Sequence, residues 1–191
     1  HGAAGSFGLP IEGNIPVGGA VTVEPRAIGS GHTIVFTFEN MISTPGTASV
    51  TDEAGQSIGS ATPSVTGAAQ NEVSVNLTNL IDNTRAAIAL SGVNGSLNVG
   101  RLMGFMVGDV SNSRRVNASD ISSVKARAGQ LANAGSFRFD VDASGEIDSA
   151  DLTATRANTG RVLPTIAPMI NSVPPPAGQI GFDYNHIFRA T

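Results

Sequence analysis

Cysteine and tryptophan are absent from the 191 residues, there is one tyrosine, and lysine occurs once, at Lys125. Without cysteine there are no disulfides, no thiolate metal sites and no cysteine nucleophile. Eleven basic residues against fifteen acidic ones give a net charge of −4. Such a chain lacks the basic footprint that nucleic acid or an anionic lipid surface requires. No apolar run reaches the roughly eighteen residues that a membrane-spanning helix needs. Charged residues make up 14% and aromatics 5%, which leaves few groups for acid–base chemistry. Neither a phosphate-binding glycine loop nor His-Glu-x-x-His is present, and Asp52-Glu53 reads as a turn rather than a glycosidase pair. The chain is therefore expected not to be an enzyme.

What is present is a 40% hydrophobic content with 23 glycines and 10 prolines. That is enough for a packed core and suits one large domain or two small ones. The chain opens with His1 rather than methionine, which fits a removed export signal. Composition divides it into three parts: 1–100, 101–164 and 165–191.

Residues 1–100 read as β. In His32–Glu39 the residues Ile34, Phe36 and Phe38 alternate with Val35, Thr37 and Glu39. In Asn71–Thr78 the residues Val73, Val75 and Leu77 alternate with Ser74, Asn76 and Thr78. A period of two means one buried and one wet face. Ala20–Glu24, Thr47–Thr51, Ala61–Val65 and Ala86–Leu90 are further strands, separated by turn signals such as Pro45-Gly46 and Asp82-Asn83. Short strands at this spacing without helices between them predict an antiparallel β-sandwich of immunoglobulin-like kind. The fold class is thus mainly β with a small α part.

Residues 101–164 hold an internal repeat. Asp109 to Ile121 aligns with Asp140 to Leu152, and each copy runs on into a helix-like stretch, Ile121–Gly129 and Leu152–Gly160. A glycine at the end of each stretch suits a helix C-cap. The second copy has the chemistry of a calcium loop, a twelve-residue turn that offers oxygens at positions 1, 3, 5, 7, 9 and 12. Here those are Asp140, Asp142, Ser144, the Glu146 carbonyl, Asp148 and Asp151, with Gly145 at the sharp turn of position 6. Four carboxylates crowded into one loop repel each other unless a cation joins them. Ile147, at position 8, is expected to pair with Val116 in the partner loop. The first copy is degenerate: Asp109, Ser111, Ser113, the Arg115 carbonyl, Asn117 and Asp120, with Arg114 where glycine belongs. Two formal charges instead of four predict weaker calcium binding there.

The tail, 165–191, has the spacer Pro174-Pro175-Pro176 and then Gln179–Phe188, which alternates as a strand through Ile180, Phe182 and Tyr184. It is read either as a closing strand or as one donated to a neighbouring molecule.

The tandem of residues 105–163 resembles a dockerin type I repeat pair, in which each calcium loop leads into one helix and ends on Asp. Upstream, His1–Phe7, His32–Phe38, Glu72–Leu80 and Ala89–Val93 resemble a β-sandwich module that precedes dockerin-like repeats in bacterial surface proteins. The resemblance implies a secreted or cell-surface, non-catalytic module with Ca2+ as its cofactor. It also implies a cohesin partner, met at the family's contact positions, Ala118-Ser119 and Ser149-Ala150. Two functions follow as expectations. The preferred one is a self-assembling structural subunit, a homo-oligomer or filament joined by strand addition through the tail. The alternative is a dockerin module that anchors to a cohesin scaffold. A minor third reading takes His1, with His32 or His186 and Tyr184, as the copper site of a polysaccharide monooxygenase.

Overall fold

The computed structural model describes residues 1–11, 19–29 and 31–165. The expected tail strand, with Tyr184 and His186, lies outside the described residues. The described chain is mainly β with two α-helices.

Seven strands make two sheets: β1 (Val23–Glu24), β2 (His32–Thr37), β3 (Thr47–Asp52), β4 (Ser60–Thr66), β5 (Glu72–Thr78), β6 (Thr84–Val93) and β7 (Leu97–Phe105). One sheet has the order β1-β7-β6-β3 and the other β2-β5-β4. The expected alternation holds: β2 buries Ile34 and Phe36 while Val35 stays exposed, and β5 buries Val73, Val75 and Leu77. These side chains share one core with Val50 of β3, Ile88 and Leu90 of β6, and Met103 and Phe105 of β7. The core therefore sits between the two sheets, as the hydrophobic pattern requires.

Three details differ from the sequence reading. The strand expected at Ala20–Glu24 is reduced to two residues that pair parallel with β7, so the arrangement is not wholly antiparallel. Pro25 stops it, having no N–H to donate to a ladder. The strand expected at Ala86–Leu90 extends over Thr84–Val93. Strand β7 went unread because Gly100, Arg101 and Gly104 interrupt its apolar pattern, and it runs past residue 100, where composition changes. Gly104 has a packing reason: a Cβ there would lie 2.7 Å from Leu163 Cδ2. The β6–β7 hairpin turns at Asn94-Gly95, both at positive φ (49° and 90°), as a type I′ turn demands.

The second half holds α1 (Ala118–Lys125), α2 (Ser149–Ala157) and a small ladder between β8 (Gln130–Leu131) and β9 (Glu146–Ile147). Both helices start earlier than Ile121 and Leu152, because Asn117 and Asp148 form capping boxes with Asp120 and Asp151. Both also end earlier, and their C-caps are Ala126 and Asn158 rather than the glycines. Gly129 and Gly160 instead donate their N–H groups across the domain, to the carbonyls of Ile147 and Val116. Hence Ile147 does not pair with Val116. It pairs with Gln130 beyond α1, while Val116 donates its N–H to Arg161 beyond α2. Each loop is thereby tied to the chain leaving the other repeat's helix.

Two smaller cores lie among the described residues. Val110, Val124, Val141 and Ile147 fill the repeat pair. Val21, Val23, Met106, Val116 and Leu163 fill the junction between sheets and repeats. Across that junction Val23 N–H donates to Asn112 Oδ1 (2.7 Å), Ala27 N–H to the Val141 carbonyl (2.7 Å) and Gly108 N–H to the Pro25 carbonyl (2.8 Å).

Candidate metal centre

The two loops share one backbone design. In loop 2 (140–151) the Ser144 and Gly145 N–H groups donate to the two oxygens of Asp140, at 3.0 and 2.8 Å. In loop 1 (109–120) Ser113 and Arg114 do the same to Asp109, at 2.8 and 2.7 Å. At the far end Asp142 and Asp148 N–H groups meet Asp151, and Ser111 and Asn117 N–H groups meet Asp120, all at 2.7–3.1 Å. The left-handed positions also match: Asn112 and Ala143 both have φ 61°, and Arg114 (φ 63°) stands where Gly145 (φ 102°) does. The first and last aspartates of both loops are fully buried.

The loops differ in charge. Ligand oxygens of Asp140, Asp142 and Asp151 lie within 4.8 Å of one another. Loop 1 supplies only Asp109 and Asp120 as carboxylates, and its position 3 is the neutral Ser111. Burial pushes the carboxyls of Asp109 and Asp151 up from the ordinary value, against the backbone N–H groups that pull them down. Burying like charges together costs several kcal/mol unless a cation compensates. A hard divalent cation with oxygen ligands fits loop 2, whose donors are all oxygen and whose three carboxylates already converge.

The remaining expected ligands divide into two groups. The Ser144 and Ser113 hydroxyls stand beside the first aspartate (3.4 Å each) and donate to the Glu146 and Arg115 carbonyls, at 3.1 and 2.9 Å. They therefore sit at the rim of each centre. Ser111 donates its hydroxyl to Asp109 at 3.4 Å. Asp148 and Asn117 are instead engaged as helix caps, accepting from Ala150 N–H (2.6 Å) and Ser119 N–H (2.7 Å). Asp148 is not part of the converging carboxylate group. The positions expected to meet a partner, Ala118-Ser119 and Ser149-Ala150, are all exposed at the helix starts.

Neither histidine in the described part stands in a copper-type cluster. The His1 ring is engaged on both nitrogens, by Asp140 and Arg26. His32 stacks on Phe105 with its Nε2 buried and without a partner, and burial lowers its pKa. A Gly-x-Ser-x-Gly spacing occurs at Gly55–Gly59. It forms the β3–β4 connection, where the Ser57 hydroxyl donates to the Gly59 carbonyl at 3.1 Å. The strand-to-helix elbow that exposes a hydrolase serine is not there. Asp52 does serve a turn, accepting from Ala54 and Gln56 N–H groups, and Glu53 pairs with Arg85 at 2.6 Å.

Residues 107–155 match the dockerin type I domain family. Domains of this family bind calcium and occur in extracellular or cell-surface proteins, so this segment is the calcium-binding part of the chain. No curated protein and no solved structure matches the chain. No helix among the described residues is long and apolar enough to cross a membrane.

Proposed function

We propose that the chain is a non-catalytic, calcium-dependent docking module that acts outside the cell, its repeat pair engaging a cohesin-type partner. The observation that carries this is the carboxylate group of Asp140, Asp142 and Asp151 inside the segment that matches the dockerin family. Ca2+ is held by loop 2 through those carboxylates, with the Ser144 hydroxyl, the Glu146 carbonyl and Asp148 at its edge. Loop 1, through Asp109, Ser111, Ser113, Arg115, Asn117 and Asp120, takes the ion more weakly. What the ion supplies is charge compensation that lets the buried aspartates remain ionised. The loops then set the starts of α1 and α2, and the exposed small residues there form the docking face. The two-sheet part, an immunoglobulin-like sandwich in this reading, serves as the rigid body that carries the face.

The family match favours docking over the filament joined by strand addition. Nothing among the described residues supports that second assembly, and the tail it needs lies outside them. The engaged ring of His1 and the place of Ser57 in the β3–β4 connection support the non-catalytic reading.

Titration calorimetry with a panel of cohesin domains tests the proposal. Binding in calcium that disappears with a chelator, and weakens at least tenfold in Asp140→Ala, is the expected result. A calcium-loaded chain that binds no cohesin overturns it.

A further inference from the structure

Asp140 accepts a hydrogen bond from outside its own loop, whereas among the described residues Asp109 accepts hydrogen bonds only from within its loop. His1 Nδ1 lies 2.6 Å from Asp140 Oδ2, although the two residues are 139 positions apart. On the other side of the ring, His1 Nε2 lies 2.7 Å from Arg26 Nη1. Arg26 in turn grips Glu24 in bidentate fashion, Nε to Oε1 and Nη2 to Oε2, both at 2.6 Å. A guanidinium only donates. His1 Nε2 must therefore accept, and the proton sits on Nδ1, which donates to Asp140. The arginine behind the ring thus sets the tautomer that satisfies both contacts.

The surroundings hold this arrangement in place. The His1 side chain is 1% exposed and Glu24 is 4% exposed. Phe7 and Phe137 close on the imidazole, with ring centres at 5.2 and 5.9 Å. The Arg26 guanidinium also covers Phe137. The backbones of the two segments meet so closely that both sides need glycine. A Cβ on Gly2 would lie 2.1 Å from the Ser144 carbonyl oxygen, and a Cβ on Gly145 2.7 Å from the His1 carbonyl oxygen. In loop 1 the described partners of the Asp109 carboxylate all come from Ser111, Ser113 and Arg114 of the same loop.

We infer that His1 is a positioning residue for the calcium ligand Asp140, and that the Glu24–Arg26–His1 relay ties calcium affinity at loop 2, but not loop 1, to docking of residues 1–4. The inference rests on the calcium reading of loop 2 and is independent of which protein the module binds. A hydrogen bond from a neighbour fixes the orientation of a ligating carboxylate, and losing such a neighbour costs about 10–100-fold in metal affinity. By linkage, calcium at loop 2 holds the first residues against the loop as strongly as they hold the ion.

The test follows calcium titrations of the full chain by amide NMR. The Gly145 N–H, bonded to Asp140, reports loop 2, and the Arg114 N–H, bonded to Asp109, reports loop 1. His1→Phe keeps the aromatic packing and removes the donor. It is expected to raise the calcium concentration at the Gly145 midpoint about 10–100-fold and to leave the Arg114 response unchanged. His1→Asn places an amide N–H near the position of Nδ1 and is expected to restore most of the affinity. An unshifted Gly145 midpoint in His1→Phe, an equal shift at Arg114, or no recovery in His1→Asn overturns the inference. A wild-type Gly145 signal that ignores calcium overturns the calcium reading of loop 2 along with it.

Discussion

Single side chains set how much negative charge each loop gathers. Loop 2 brings three carboxylates together and loop 1 has two, so the two loops are expected to respond unequally to the loss of their first aspartate. In saturating calcium, Asp140→Ala should lower the melting temperature by more than Asp109→Ala, as scanning calorimetry will read. Protons and calcium also compete for these groups. Burial raises the carboxyl pKa of Asp109 and Asp151 above 3.8 in the metal-free fold. A raised acid binds its proton more tightly folded than unfolded. Its contribution to stability is therefore complete below about pH 4 and is lost as the pH rises through the raised value. Thermal melts with a chelator should show this contribution declining toward neutrality, whereas added calcium should stabilise more as the pH rises. The converging carboxylates of Asp140, Asp142 and Asp151 were legible in the sequence because a twelve-residue loop is local chemistry at fixed spacing. His1, Arg26 and Glu24 were not, since no local pattern connects them with Asp140. The one signal, a histidine at position 1, pointed to copper instead.

Among the elements, the loop-helix units show how far spacing alone reaches. The repeat, the loop bounds and the presence of two helices follow from it. Helix ends and strand partners do not, because they depend on caps and on segments that meet only in space. Asn117 and Asp148, expected as ligands, also cap the two helices, as the same oxygens can serve either use. Arg114 shows where loop 1 departs from loop 2. It holds φ 63° where loop 2 has Gly145, a conformation that costs a residue with a Cβ about 1–2 kcal/mol. Arg114→Gly should relieve part of that strain, remove a positive charge beside the site, and raise both the melting temperature and the calcium affinity of loop 1. Calorimetry and calcium titration of the same variant will check both outcomes. Strand β7 makes the same point for the sheets. Its glycines hide it from an apolar pattern, yet Gly104 is there so that Leu163 can pack on the strand.

At the scale of the whole molecule, the sheets and the repeat pair are joined by a core of their own. Leu163, 2% exposed, packs there with Val21, Val23, Met106 and Val116. Leu163→Ala should destabilise the fold by about 2–5 kcal/mol, the usual cost of such a cavity. The loss should appear in the repeat pair and the sheets together, as one transition followed by circular dichroism and by calcium release. Two independent transitions would mean that the junction does not couple them. Composition changes near residue 100, yet β7 runs past it to Phe105; the junction leaves no local mark, since its members come from four separate places in the chain. The crossed bridges of the repeat pair also bear on the order of folding during synthesis. Val116 is held by Gly160 and Arg161, and the Arg114 carbonyl by Leu163. On a ribosome, the first loop stays unfinished until the last turn of the second has left the exit tunnel, so the nascent protein cannot secure its halves one at a time.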